Sequence, residues 1–172
     1  MKDQAFKIGD KAVYPAQGVG VITGIESKEI SGDTQVFYIM KLLGSERQIM
    51  VPMKKAKQVG LRNLVKQDQT EKIFTLLKQL PVTRNKLNWN RRYRNYIEKL
   101  KSGSVYDVAE VLRDLHVMKS KKGLSFGEKR LLETAKNLLI KELSIVGSQS
   151  EDQVEERIKG ILNSNNSPNP EI

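Results

Sequence analysis

The segment Asn88-Trp89-Asn90-Arg91-Arg92-Tyr93-Arg94-Asn95-Tyr96 sets the single tryptophan of a 172-residue chain beside three arginines. A large aromatic ring gains most by leaving water, whereas guanidinium groups stay hydrated or pair with carboxylate and phosphate oxygens. Two arrangements satisfy both demands. Either Trp89 packs between two domains and the arginines are merely solvated, or Trp89 works at a surface that the arginines hold against an anion. The second arrangement has a definite chemistry. A side chain inserted between base steps from the minor groove unstacks and kinks DNA while cationic neighbours hold it there, and an indole can equally lean against an exposed base of partly melted duplex.

The surrounding charge extends this theme. Arg84, Lys86, Arg91, Arg92, Arg94, Lys99 and Lys101 accumulate against Glu98 alone, and a second group, Lys119, Lys121 and Lys122, is followed closely by Lys129 and Arg130. Two such patches could follow one phosphate backbone, with helix-start amides adding to the side chains. Lysines at helix ends also complement the helix dipole and keep a chain in solution, so that alternative stays open for the second group. The net charge is +10. It divides unevenly: residues 1–70 hold 11 Lys and Arg against 7 Asp and Glu, residues 71–145 hold 17 against 8, and residues 146–172 hold 2 against 5. The positive excess therefore lies where Trp89 lies, which suits a nucleic acid or an acidic protein as partner.

Catalysis has little to work with. His116, the only histidine, stands between Leu115 and Val117 in a helical pattern, which favours a satisfied helix histidine over a general base. There is no phosphate-cradling loop with its lysine, no paired-histidine metal motif and no nucleophile elbow. Gly18-Val19-Gly20 and Gly24 lie between strand-like runs and lead into no helix, so turn geometry accounts for them. The absence of cysteine removes disulfides and thiolate chemistry. No apolar run approaches a membrane span, and Met1-Lys2-Asp3-Gln4-Ala5 does not begin a signal peptide. The expectation is a cytoplasmic monomer without cofactor, metal or small-molecule substrate, and not an enzyme.

These residues need elements to position them. Runs 11–15, 19–25, 36–42 and 48–52 are β-branched or aromatic and are separated by Pro15-Ala16-Gln17-Gly18, Ser31-Gly32-Asp33 and Gly44-Ser45-Glu46 at hairpin spacing. Such closely spaced strands pair antiparallel, and a small, strongly bent barrel of the SH3 or Tudor kind is the compact solution for about 60 residues. From about Gln67 the period becomes helical. Ile73, Phe74, Leu76, Leu77 and Leu80 form one face ended by Pro81, and Tyr93, Tyr96, Ile97 and Leu100 form a second. Ser104 to Asp107 and Ser125 to Glu128 have capping-box spacing and open a third and a fourth helix, and Ser150 opens a last, acidic one to about Leu162. The class expected is α+β: a Tudor/SH3-like antiparallel β-barrel over residues 1–66, a compact all-α module of about five helices over 67–163, and a disordered Asn- and Pro-rich tail over 164–172.

With these motifs in order, the chain resembles the bacterial CarD/CdnL transcription regulators over nearly its whole length. The resemblance rests on Phe6 to Pro15 with Gly18, on Val51-Pro52 with Val59-Gly60-Leu61-Arg62, on Asn88 to Tyr93, on Val108 to Leu115, and on Gly123 to Leu132. The first two segments are shared with the polymerase-interacting domain of the transcription-repair coupling factor; the last three are not. The resemblance implies a short, free-standing member whose amino-terminal module docks on the RNA polymerase β subunit. It implies a helical module that meets promoter DNA upstream of the −10 element and favours the open complex. By position, Trp89 is then the minor-groove wedge, Arg91, Arg92 and Arg94 are phosphate contacts near it, and Lys129 with Arg130 form a second DNA-facing patch. Polymerase contact falls to Lys28 and the edge Ile49-Met50-Val51-Pro52. Met50 stands where some relatives carry arginine, which leaves strand pairing and apolar contact as the docking mode. The other reading keeps a polymerase-docking adaptor whose helical module grips a second protein.

Overall fold

The computed structural model describes residues 5–81 and 88–165. It divides into two compact units, Met1–Leu64 and Val65–Ile172. The first is a four-stranded antiparallel sheet in the order β1 (Lys11–Tyr14), β2 (Gly18–Ile30), β3 (Asp33–Leu42), β4 (Gln48–Pro52). The sheet curls into a half-barrel, and a bridge between Val13 and Arg62 brings the end of the unit back onto β1. β2 runs to Ile30, five residues beyond the apolar run that announced it. The polar half, Glu26 to Ile30, is held in strand form because it continues the β3 ladder from Glu26↔Phe37 to Ile30↔Asp33. Ser31 and Gly32 close that hairpin with φ of 53° and 85°, the paired positive φ that a two-residue turn of matching twist requires.

Pleating sorts the side chains. Ile22, Tyr38, Met40, Leu42 and Val51 line the concave core together with Phe6, Ala12, Ala56 and Leu61. Tyr38 supplies a phenolic oxygen that accepts from the Phe6 amide at 3.2 Å, and the two rings meet edge to face at 5.8 Å. β2 and β3 pack closely at Gly20. A Cβ there would lie 2.6 Å from Met40 Cε and 2.7 Å from the Lys41 carbonyl oxygen, so Gly18-Val19-Gly20 is close strand packing within β2 as well as a turn.

The second unit contains α1 (Thr70–Lys78), α2 (Trp89–Lys101), α3 (Val105–Lys121), α4 (Phe126–Val146) and α5 (Glu151–Ser164). α3 packs against all four others. Its Val111, Leu112 and Leu115 are fully buried with Leu139 of α4, Ile73 and Leu77 of α1, and Ile158 of α5. Burying each such side chain contributes about 1.5–3 kcal/mol. Leu80 departs from the expected first-helix face. Pro81 disfavours helical backbone at the residue before it, Gln79 is already extended, and Leu80 is left exposed. Ser104 accepts from the Asp107 amide, but the Asp107 carboxylate accepts from the Ser102 hydroxyl at 2.6 Å, so the box is only half formed. Ser150 and Gln153 do form the reciprocal box. α5 continues through Ser164, and the rest of the expected tail, 166–172, lies outside the described residues.

Gly20→Ala is expected to destabilise the β-unit by about 1–3 kcal/mol in urea unfolding, the cost of forcing an extra carbon into packed space. Gly24→Ala, whose Cβ would meet Ile39 at an ordinary 3.7 Å, is expected to stay within about 0.5 kcal/mol of the parent.

Candidate nucleic-acid interface

Asn88 starts α2: its side chain accepts from the Arg91 amide at 3.0 Å, which places Trp89 in the first turn. Helical spacing then puts Trp89, Arg92, Tyr93, Tyr96 and Leu100 on one side and Arg91 and Arg94 on the other. Tyr96 and Leu100 enter the core. Trp89 remains 45% exposed, with its ring stacked on Tyr93 at a centroid distance of 5.2 Å and an interplanar angle of 15°. Its Nε1 donates to Ser125 Oγ at 3.3 Å, across 36 residues of sequence.

Ser125 is also the cap of α4, where its hydroxyl accepts from the Glu128 amide at 3.3 Å. The capping box expected here is not closed by its acidic member. Glu128, 2% exposed, takes its carboxylate to α2 and accepts from Arg92 Nη2 at 3.0 Å. One residue from that pair on each helix, α4 approaches the Tyr93 ring so closely that a Cβ on Gly127 would sit 3.0 Å from Tyr93 Cε2. Three consecutive features of one helix start, a hydroxyl, a missing side chain and a buried carboxylate, thus bind the first turn of α2.

The three arginines expected to act together are therefore separated. Arg92 is turned inward onto Glu128, with Nε buried and unpartnered, while Arg91 and Arg94 are exposed and have no ion pair among the described residues. Lys129 and Arg130 project from the start of α4, beside the same seam, and are exposed. Phe126 is exposed by 77%, and Arg130 lies over its ring at 6.0 Å. Lys99 is engaged elsewhere, 2.6 Å from Glu110. Lys119, Lys121 and Lys122 lie exposed at the end of α3, and Arg84 and Lys86 lie outside the described residues. Phe126, Tyr93, Ser125, Gly127 and Glu128 carried no functional weight in the sequence reading. The Trp89–Tyr93 spacing of four was a legible signal for a ring pair on one helix face, whereas nothing local announced Ser125 as the partner of a tryptophan 36 positions away.

In the β-unit the expected docking residues fall on both faces of the sheet. Met50 pairs with Ile39, Lys28 with Gln35 and Pro52 with Phe37, which puts all three on the convex face, where Lys28 Nζ reaches Met50 Sδ at 3.7 Å. Ile49 and Val51 point to the core, and Val51 is 1% exposed. At Val51 only backbone is offered outward. β4 is an edge strand, paired with β3 alone in the sheet.

Titratable groups in the helical unit follow burial. His116 is pushed below its ordinary value by burial and by Lys119, against a hydrogen bond with Asn163, so it is neutral at pH 7. Tyr96 is raised to about 12, chiefly by burial and further by Asp114 and Glu128, with Arg92 opposing. Among the described residues no three His, Asp or Glu side chains converge as a metal site, and no helix is long and apolar enough to cross a membrane.

A curled sheet module followed by a five-helix module that offers a seated aromatic among cations defines a two-module binding protein. Residues 72–159 match the family model for the CarD C-terminal domain, and residues 6–65 match that of the CarD-like/TRCF RID domain. YdeB of Bacillus subtilis (strain 168), named as a candidate transcription factor, is 34% identical over 149 residues, 87% of this chain and 97% of that protein. A solved structure described as CdnLNt from Myxoccoccus xanthus is 46% identical, covers 38% of this chain and 92% of its own, and has a TM-score of 0.32. The chain belongs to the CarD/CdnL family, and is a transcription regulator of the kind that interacts with RNA polymerase.

Two measurements check the seam. Glu128→Ala leaves a partly buried guanidinium uncompensated and is expected to lower stability by roughly 2–3 kcal/mol in thermal or urea unfolding, below the ~3–5 kcal/mol of a fully buried pair because Arg92 is part exposed. The Tyr96 phenol ionises at 10.0 when unfolded and near 12 when folded, so its contribution is complete below pH 10 and is lost as pH rises towards 12. Tyr96→Phe should flatten that alkaline fall in stability, whatever it does to stability at pH 7.

Proposed function

We propose that the chain bridges the β subunit of bacterial RNA polymerase and promoter DNA just upstream of the −10 element, and stabilises the open promoter complex by lodging Trp89 in the minor groove. The single observation that supports this most is the seat of Trp89. An indole left 45% exposed, yet held by a stacked ring and a hydrogen bond, is a rigid apolar projection beside exposed cations. In this reading Arg91, Arg94, Lys129 and Arg130 contact phosphates. Arg92, whose side chain is 31% exposed, adds a partly neutralised charge behind them while it holds the seam. Opening the duplex makes a base step available to the ring, and binding that is stronger to opened than to closed DNA shifts the equilibrium towards the open state.

Docking of the β-unit uses the β4 edge and the convex face around Lys28, Met50 and Pro52, with Ile49 and Val51 acting through the strand that carries them. Polymerase binding then raises the local concentration of the helical unit at the promoter, so that unit needs little sequence preference or affinity of its own. The protein works as a cytoplasmic monomer, requires no cofactor and performs no chemistry. A helical unit that grips another protein instead draws on exposed Phe126.

With purified polymerase, Trp89→Ala is expected to shorten open-complex lifetime while polymerase binding and the melting temperature are retained; an unchanged lifetime at unchanged binding contradicts the wedge. Removing any one of Arg91, Arg94 or Lys129 should weaken binding to free promoter DNA uniformly across sequences and reduce the slope of log K against log salt by about 1. If charge reversal at Arg91 and Lys129 spares transcription on purified components, the grip is on a protein and not on DNA.

A further inference from the structure

Trp89 is borne by α2, and its ring is held from both helices: Tyr93 of α2 stacks on it, and Ser125 at the start of α4 takes its ring nitrogen. Ser125 Oγ accepts twice, from the Glu128 amide as the helix cap and from Trp89 Nε1, each at 3.3 Å, which uses both acceptor positions of a hydroxyl. Gly127 leaves room for the Tyr93 ring on which the indole stacks. Neither residue bears a charge or an apolar group that could itself hold DNA. An exposed indole without this acceptor would donate to water and turn about its side-chain torsions within its half-open site.

We propose that Ser125 is a positioning residue for Trp89: its hydroxyl fixes the indole in the orientation that enters the groove, so that the α4 cap and the wedge are set by one atom. The proposal rests on the wedge reading of Trp89. Its physical content is preorganisation. A ring already immobilised in the free protein loses little rotamer freedom on insertion, whereas a loose one loses it at that step.

The seat and the cap can be separated by substitution. Ser125→Gly removes the acceptor but is nearly neutral as a cap, and Ser125→Thr keeps both functions. Trp89 is the only tryptophan, so the intrinsic fluorescence of the full chain reports its ring directly. Time-resolved anisotropy of Ser125→Gly should gain a fast depolarising component absent from the parent and from Ser125→Thr, with the melting curve of all three alike. Open-complex lifetime should fall about 2- to 10-fold in Ser125→Gly, the factor that one side chain's lost freedom is worth, and should be restored in Ser125→Thr. Parent-like anisotropy in Ser125→Gly overturns the proposal, as does a mobile ring with an unaltered lifetime when Trp89→Ala does shorten it. A lifetime unaltered even by Trp89→Ala marks failure of the wedge reading itself, and removes this proposal with it.

Discussion

Glu128 occupies the third position after a serine cap, where a glutamate ordinarily turns back to bond the cap amide, and instead reaches a guanidinium on another helix. That pair, 3.0 Å long with the carboxylate almost wholly buried, fixes how α2 and α4 meet. A buried carboxylate without a partner would cost several kcal/mol, so the two helix starts cannot drift apart or slide by a turn without loss. The rest of the site follows from that registration. It brings Gly127 against Tyr93, Tyr93 beneath Trp89, and Ser125 to the indole nitrogen. It also divides a run of arginines into one that builds the site and two that face outward.

The same constraint explains why an aromatic can stay exposed without collapsing into the core. Tyr96 and Leu100, two and three turns further along α2 from Trp89, anchor the helix in the hydrophobic cluster around α3. Trp89 is at the solvent-facing start of the helix, where the pull of the core has ended and the ring pair and one hydrogen bond restrain it. Because those restraints come from polar and aromatic geometry and not from burial, half of the ring remains available to a partner. Lys129 and Arg130 rise from the same helix start whose Ser125 holds the indole.

How much of this was legible in the sequence depended on the range of the interaction. Hairpin turns and helix caps are local, and Ser31-Gly32, Ser104, Ser125 and Ser150 all stand where spacing placed them. The four strands were legible from β-branched runs, but the length of β2 was not, because its polar half is kept extended by pairing and not by composition. Leu80 was assigned to a helix face by periodicity alone, which Pro81 overrules. At the site, residue types pointed to Trp89 and the basic residues, but not to their division of labour: Arg91 and Arg92 are indistinguishable by type, and only the position of Glu128, 36 residues after Arg92, separates them. Val51 likewise reads as part of an outward edge until pleating turns it inward.

The central claim is that a ring held proud of the α2–α4 seam acts on opened promoter DNA. The most direct measurement is permanganate reactivity of thymines at the upstream edge of the bubble, in polymerase–promoter complexes formed without the protein, with it, and with Trp89→Ala. The expected result is a change of reactivity confined to that edge with the parent protein and absent with Trp89→Ala, at matched occupancy of polymerase. An upstream edge that reacts identically with the parent protein and with the variant would contradict it.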